Sequence, residues 1–166
     1  MAALAAALLL SGCFPYLTSY VHLEGPLDVM TLHPACGNAG PPVFARYVRK
    51  GVTFDVTLEP GIAARDQGGF MRLRAPAGVV VTIPEPVGYL RVYDGDAAMR
   101  FRLRLADTRN VAGAVEQRFD FEGLPAKIDF SGTLHLPDVV VDGSEVVSPV
   151  FQFRRHRYAG VAPAKC

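Results

Sequence analysis

A strict alternation of arginine and apolar residues between positions 100 and 105 constrains the fold more than any other feature of this sequence. The arginines are Arg100, Arg102 and Arg104, and the apolar residues are Phe101, Leu103 and Leu105. Successive side chains of a β-strand point to opposite faces, so this period of two predicts a strand with one apolar face and one face of guanidinium groups. The chain must therefore build a sheet that is buried on one side.

Seven further segments have the composition of strands, being mostly rich in β-branched and aromatic residues. They span residues 52–58, 70–74, 79–83, 89–93, 117–121, 128–136 and 150–154. Asp94-Gly95 and Asp142-Gly143 between them are typical of two-residue hairpin turns. No interior segment shows a sustained helical period. The sequence therefore predicts an all-β domain, an antiparallel β-sandwich of about seven to ten short strands, with a small β-barrel as the alternative.

The composition is that of one globular domain. The chain has 166 residues, half of them hydrophobic and a fifth charged, which suffices for a single core. Lys and Arg number 17 against 16 Asp and Glu, for a net charge of +1. Because nucleic-acid-binding domains carry a clear basic excess, this balance gives no reason to expect a nucleic-acid partner.

The N-terminal segment is apolar from residue 2 to residue 10 and leads into Leu10-Ser11-Gly12-Cys13. Nine residues of helix span about 14 Å, whereas a bilayer core is about 30 Å thick, so the stretch is too short to cross a membrane. Its length is that of a secretory signal, with small residues before the cleavage point. The tetrapeptide resembles the lipobox of bacterial lipoprotein precursors. The alternative is a buried N-terminal helix with an incidental cysteine.

The resemblance to lipoprotein precursors implies a location and an anchor. Cleavage would remove a signal peptide at residues 1–12, and Cys13 would be acylated. Residues 13–18 would form a lipidated tether, and residues 19–166 a single β-domain. Phe14 stands where the family's inner-membrane retention signal has Asp, which implies the outer membrane, with the domain facing the periplasm.

Two cysteines remain once Cys13 carries lipid, and an oxidising periplasm would pair Cys36 with Cys166. Such a bond would hold the loop at residues 36–42 in place. The alternative at His33 to Cys36 is a metal site, but one His and one Cys supply half of a tetrahedral shell. The remaining histidines, His22, His135 and His156, show no ligand spacing, so no metal is predicted.

No motif of a known catalytic class is present, and neither an enzyme nor a cofactor is predicted. Asp120 and Glu122 lie on one strand face and could form a carboxylate pair, although a solvated outer face explains them as well. Asp94 and Asp96 flank a glycine as in calcium loops, but the later oxygen ligands are missing.

Arginine is the polar residue that stands out, with fourteen Arg against three Lys. The predicted partner-binding residues are Arg100, Arg102, Arg104, Arg154, Arg155 and Arg157, because guanidinium groups bind carboxylates and phosphates in pairs of hydrogen bonds. Ordinary cross-strand pairing with Asp and Glu is the competing explanation.

The expected function is that of a non-enzymatic envelope lipoprotein, anchored in the membrane by lipid, whose β-domain binds an envelope protein. Its general build resembles that of periplasmic lysozyme inhibitors and immunity lipoproteins. The alternative is a lipoprotein that holds a small apolar ligand or a lipid between its sheets.

Overall fold

All regular structure in the described part of the chain is β. The computed structural model describes residues 13–32, 44–58, 68–93, 97–125 and 127–163. Within these ranges the chain forms thirteen strands and no helix. The strands are β1 (Cys13–Glu24), β2 (Met30–Leu32), β3 (Phe44–Arg49), β4 (Val52–Leu58), β5 (Gly69–Pro76), β6 (Val81–Thr82), β7 (Val87–Val92), β8 (Ala98–Val111), β9 (Ala114–Glu122), β10 (Gly132–His135), β11 (Val139–Val141), β12 (Ser144–Val146) and β13 (Val150–Pro163).

Ten strands form one antiparallel sheet that nearly closes into a barrel, in the order β1-β13-β10-β7-β8-β9-β5-β4-β3-β2. Where the two ends of the sheet approach each other, Val21 and Leu23 of β1 lie against Ala45 of β3 and Thr57 of β4. A second sheet has the order β12-β11-β6. The predicted all-β, antiparallel fold class is confirmed, within the sandwich or barrel alternatives.

The strand predictions hold best where apolar and polar residues alternate. β4 has the predicted limits, and the arginine row lies in β8. β3 was missed, although Ala45 and Tyr47 alternate with more exposed neighbours. In the predicted segment 79–83, Val80 is 63% exposed, and only Val81 and Thr82 form a strand.

Residues 13–18, predicted to form a tether, belong to a strand. β1 begins at Cys13, and its residues pair with β13 from Cys13 opposite Pro163 to Glu24 opposite Gln152. β10 pairs with β13 only from Val150 to Phe153. Among the described strands, the far part of β13 is therefore paired with β1 alone, in a two-stranded ribbon.

Three two-residue turns connect consecutive antiparallel strands of the two sheets. The predicted turn Asp142-Gly143 joins β11 to β12, with φ of 47° and 77°. Positive φ at both central residues defines the type I′ turn, whose twist matches that of paired strands. Lys50-Gly51 and Ala112-Gly113 have nearly the same angles and join β3 to β4 and β8 to β9. The other predicted turn, Asp94-Gly95, lies outside the described residues, between the paired strands β7 and β8.

The inward faces of both sheets share one core. Phe54, Phe151 and Phe153 are fully buried, and the rings of Tyr47 and Phe54 stack at 4.7 Å. Val139, Val141 and Val146 of the small sheet belong to the same core. The interior is thus filled by side chains, as expected for a small closed sheet.

Candidate functional site

The arginine row of β8 faces outward, as its alternation predicts. Phe101 and Leu103 are 2% and 4% exposed, whereas all three arginines are exposed. Leu105 departs from the prediction and is 49% exposed. Leu105 still pairs with Phe119, and a register irregularity follows between Leu105 and Asp107, beyond which β8 is exposed as far as Asn110.

Cross-strand register gives the three arginines different neighbours. Arg104 lies opposite Asp120 and forms an ion pair with Glu122. Arg102 lies opposite Val87 on β7 and opposite Glu122 on β9, whose carboxylate contacts Arg104 instead. Arg100 lies opposite Tyr89. Among the described residues, neither Arg100 nor Arg102 forms a salt bridge.

β7 extends this exposed row. Arg91 points to the same side as Tyr89, and within the described ranges it too has no salt bridge. Tyr89 is 40% exposed and lies between the arginines of the two strands. We call Tyr89, Arg91, Arg100 and Arg102 the arginine–tyrosine face. Tyr and Arg are the residue types that contribute most to protein interfaces.

His135 of β10 adjoins the arginine–tyrosine face. Its ring lies 5.7 Å from the ring of Tyr89, and its Nε2 is 3.0 Å from the hydroxyl of Thr133. Burial lowers the pKa of His135 below its ordinary value, and the positive charge of Arg91 lowers it further. The pKa of His135 therefore depends on the positive charge of Arg91, which belongs to this face.

The second predicted cluster does not form one surface. Arg154 points outward near Glu24, at 4.0 Å, whereas Arg155 points to the opposite side of β13. Arg155 donates hydrogen bonds to the carbonyl oxygen of Ile128 at 2.7 and 3.0 Å, so it holds the chain after β9. Arg157 is exposed on the same side as Arg155.

The two predicted clusters are also far apart. β10 and β7 lie between β13 and β8, which places the clusters about 14 Å apart across the sheet. The six predicted partner-binding arginines therefore do not lie on one continuous surface.

Arginines on the neighbouring outer surface are bound to acids. Nε and Nη2 of Arg46 donate to the two carboxylate oxygens of Asp55 at 2.6 and 2.7 Å, and Asp55 is 5% exposed. Nε of Arg118 donates to Asp120 at 2.9 Å. Arg109 contacts Glu116 at 2.7 Å. The hydrogen bond with Asp55 raises the pKa of Arg46, and burial opposes that rise.

The predicted carboxylate pair is divided between two arginines. Asp120 is buried and accepts from Arg118, and Glu122 is exposed and contacts Arg104. Within the described ranges no three His, Cys, Asp or Glu side chains are grouped closely enough to hold a metal ion. The same residues contain no helix of the length and apolarity that a bilayer crossing requires.

A groove of about 350 Å³ lies between β7 and the small sheet, and sequence reasoning missed it. Its lining residues are Pro84, Glu85, Val87, Tyr89, Leu136, Pro137, Asp138 and Glu145. Leu136 and Pro137 are buried at its base, whereas the three acids are exposed. The one sequence signal for it was the absence of Lys and Arg from residues 75–90 and 132–153.

Several predicted sites cannot be placed. Cys36 and Cys166 lie outside the described residues, as do His33, the loop at residues 37–42 and the segment 94–96. Cys13 is described only through its backbone, as the first residue of β1.

Comparison of the chain with protein-family models, with curated proteins and with solved structures gives no match.

Proposed function

We propose that this protein is a non-enzymatic lipoprotein of the bacterial outer membrane whose β-domain binds a protein partner in the periplasm. The observation that carries the proposal is the arginine–tyrosine face, where Arg91, Arg100 and Arg102 lack salt bridges among the described residues. Elsewhere on the same sheet, Arg46 of β3, Arg109 at the far end of β8 and Arg118 of β9 are bound to acids. Exposed guanidinium groups around a tyrosine suit a partner that presents carboxylates.

The packed interior is the reason for preferring a surface partner to an apolar ligand. Phe54, Phe101 and Phe151 fill the space between the strands and are at most 2% exposed. The cavity lined by β1, β3 and β4 has about 10 Å³, which holds a single water at most. A lipid would have to displace core side chains.

Partner binding is tested with two double variants of the same charge. Arg100→Gln with Arg102→Gln removes arginines of the arginine–tyrosine face, and Arg104→Gln with Arg109→Gln removes two that are ion-paired. Envelope proteins retained by the wild-type protein at low salt should be lost from the first variant and kept by the second, and wild-type retention should fall as salt rises. Equal retention by both variants contradicts the proposal.

The lipid anchor is tested at Cys13. Expressed with its upstream residues, Cys13→Ser should incorporate no labelled fatty acid and should leave the membrane fraction, while Cys36→Ser should keep the label. Because β1 begins at Cys13, the anchor would join the ribbon directly and hold the domain close to the membrane. Unchanged fractionation of Cys13→Ser would remove the basis for this location.

The disulfide between Cys36 and Cys166 is part of the same proposal, since an oxidising compartment favours it. Peptide mapping of periplasmic material without reductant should find the two cysteines joined. Free thiols at both positions would argue against an oxidised tail.

A further inference from the structure

We propose that the groove between β7 and the small sheet binds a basic side chain, Lys or Arg, of a protein segment in which apolar residues flank that side chain. This goes beyond the proposed function, because the groove has the opposite charge and shares only Tyr89 with the arginine–tyrosine face.

The charge of the groove favours a cation. Glu85, Asp138 and Glu145 line it, and none of them forms a salt bridge among the described residues. Asp138 accepts a hydrogen bond from the backbone N–H of Ser148 at 2.8 Å, which fixes one carboxylate oxygen. Residues 75–90 and 132–153, which build this region, contain four acids and no Lys or Arg. Arg100 and Arg102 lie on β8 opposite the lining residues Tyr89 and Val87, but neither forms a salt bridge with the three acids, so a bound cation would offset the remaining repulsion between them.

The base of the groove favours an organic cation over a metal ion. Leu136 and Pro137 are buried there, and Val87 and Tyr89 form one wall. Lys and Arg lay their methylene stems along apolar surface while the charged end reaches polar groups, and a Tyr ring adds cation–π attraction. The described acids do not converge as the oxygen ligands of a metal ion must.

The size of the groove favours a short segment. Its volume of about 350 Å³ lies at the lower end of the range for ligand sites, about 300 to 1,000 Å³. Val147 and Val150 are 70% and 46% exposed on the nearby connection and at the start of β13, so apolar neighbours of the basic residue have surface to contact.

The test measures binding of a fluorescent peptide, acetyl-Val-Arg-Val-Arg-Val-amide, to the full chain by polarisation. We expect saturable binding with one peptide per chain, weakening as salt rises. The same peptide with citrulline in place of arginine should bind at least about tenfold more weakly.

Two charge-matched variants locate the site. Glu85→Gln with Glu145→Gln should weaken binding about fivefold. Glu24→Gln with Asp107→Asn removes two exposed acids elsewhere and should leave binding unchanged. Tyr89→Leu retains apolar surface and should weaken binding by removing the aromatic ring.

Three results would overturn the inference. They are no saturable binding, equal binding of the citrulline peptide, and an equal loss in the two double variants, which would indicate a net-charge effect. The Arg100→Gln, Arg102→Gln variant should bind this peptide at least as tightly as the wild type, because the two arginines do not bind the peptide. Failure of the peptide to bind the groove therefore leaves the proposed function of the arginine–tyrosine face standing.

Discussion

Two regions of the outer surface use the same residue type in opposite ways. On β3 and β4, Arg46 forms two hydrogen bonds with the buried carboxylate of Asp55. On β7 and β8, Arg91, Arg100 and Arg102 are exposed, and the described residues supply no salt bridge for them. Both regions lie on the same sheet and face the same side of it.

The difference follows from cross-strand register. Arg46 lies opposite Asp55, whereas Arg100 lies opposite Tyr89. A buried charge is costly without a partner, while an exposed guanidinium remains hydrated. The Arg46–Asp55 pair therefore stabilises the fold, whereas the arginine–tyrosine face is available for binding.

The largest effect on the free energy of unfolding is expected from a substitution that breaks the Arg46–Asp55 pair. Asp55→Asn should lower the free energy of unfolding by about 2 to 3 kcal/mol, somewhat less than the roughly 3 to 5 kcal/mol for a fully buried pair, since Arg46 can still reach water. Urea denaturation at pH 7 measures the change. Asp107→Asn, whose carboxylate is exposed and 3.9 Å from Arg109, should change it by less than about 0.5 kcal/mol.

The unpaired region should respond differently to the same measurement. Arg100→Gln with Arg102→Gln should alter the free energy of unfolding by less than about 0.5 kcal/mol while removing partner retention. If this variant is as unstable as Asp55→Asn, the arginine–tyrosine face has a structural role and the contrast between the two regions fails.

A smaller effect on the free energy of unfolding is expected at the turn that connects β8 to β9. Ala112 has φ of 47°, in the left-handed region that alanine disfavours and asparagine tolerates. Ala112→Asn places the favoured Asn-Gly pair in this type I′ turn and should raise the free energy of unfolding by about 0.5 to 1 kcal/mol. Ala77→Asn, at an exposed turn residue without positive φ, should give no gain. Thermal denaturation of both variants measures this.

The smallest effect is a pH dependence that reports the charge of the arginine–tyrosine face. Since the pKa of His135 is lowered in the folded state, the unfolded chain binds more protons between that pKa and 6.5. Its contribution to stability should therefore rise with pH through this window and be reduced at lower pH.

Arg91 is the second cause of that lowered pKa, after burial. Arg91→Gln should move the NMR titration of the His135 ring to higher pH, and Arg109→Gln, at the end of β8, should not. An unchanged titration in Arg91→Gln would mean that the charge of Arg91 does not reach His135.

Local pattern predicted several of the strands, among them β4 and β8, and the outward side of β8, but less of the candidate site. The alternation at residues 100–105 was sufficient to place Arg100 and Arg102 outside the core. The same rule also separates Arg154 from Arg155, and grouping them ignored it. Arg91 and Tyr89 were not recognised as neighbours of this row, although the predicted Asp94-Gly95 turn indicates that their strand pairs with β8, because the turn alone does not give the register that places Tyr89 opposite Arg100.

The sequence by itself determined the all-β class, the faces of the alternating strands and the Asp142-Gly143 turn, because these depend on backbone geometry within a few residues. Only the tertiary structure decided which arginines meet an acid, since this depends on the register between paired strands, as with Arg104 and Glu122. It also determined that Glu85, Asp138 and Glu145, which come from three separate segments, line one groove. A period of two fixes the direction of a side chain, whereas its neighbours depend on how the whole sheet packs around one core.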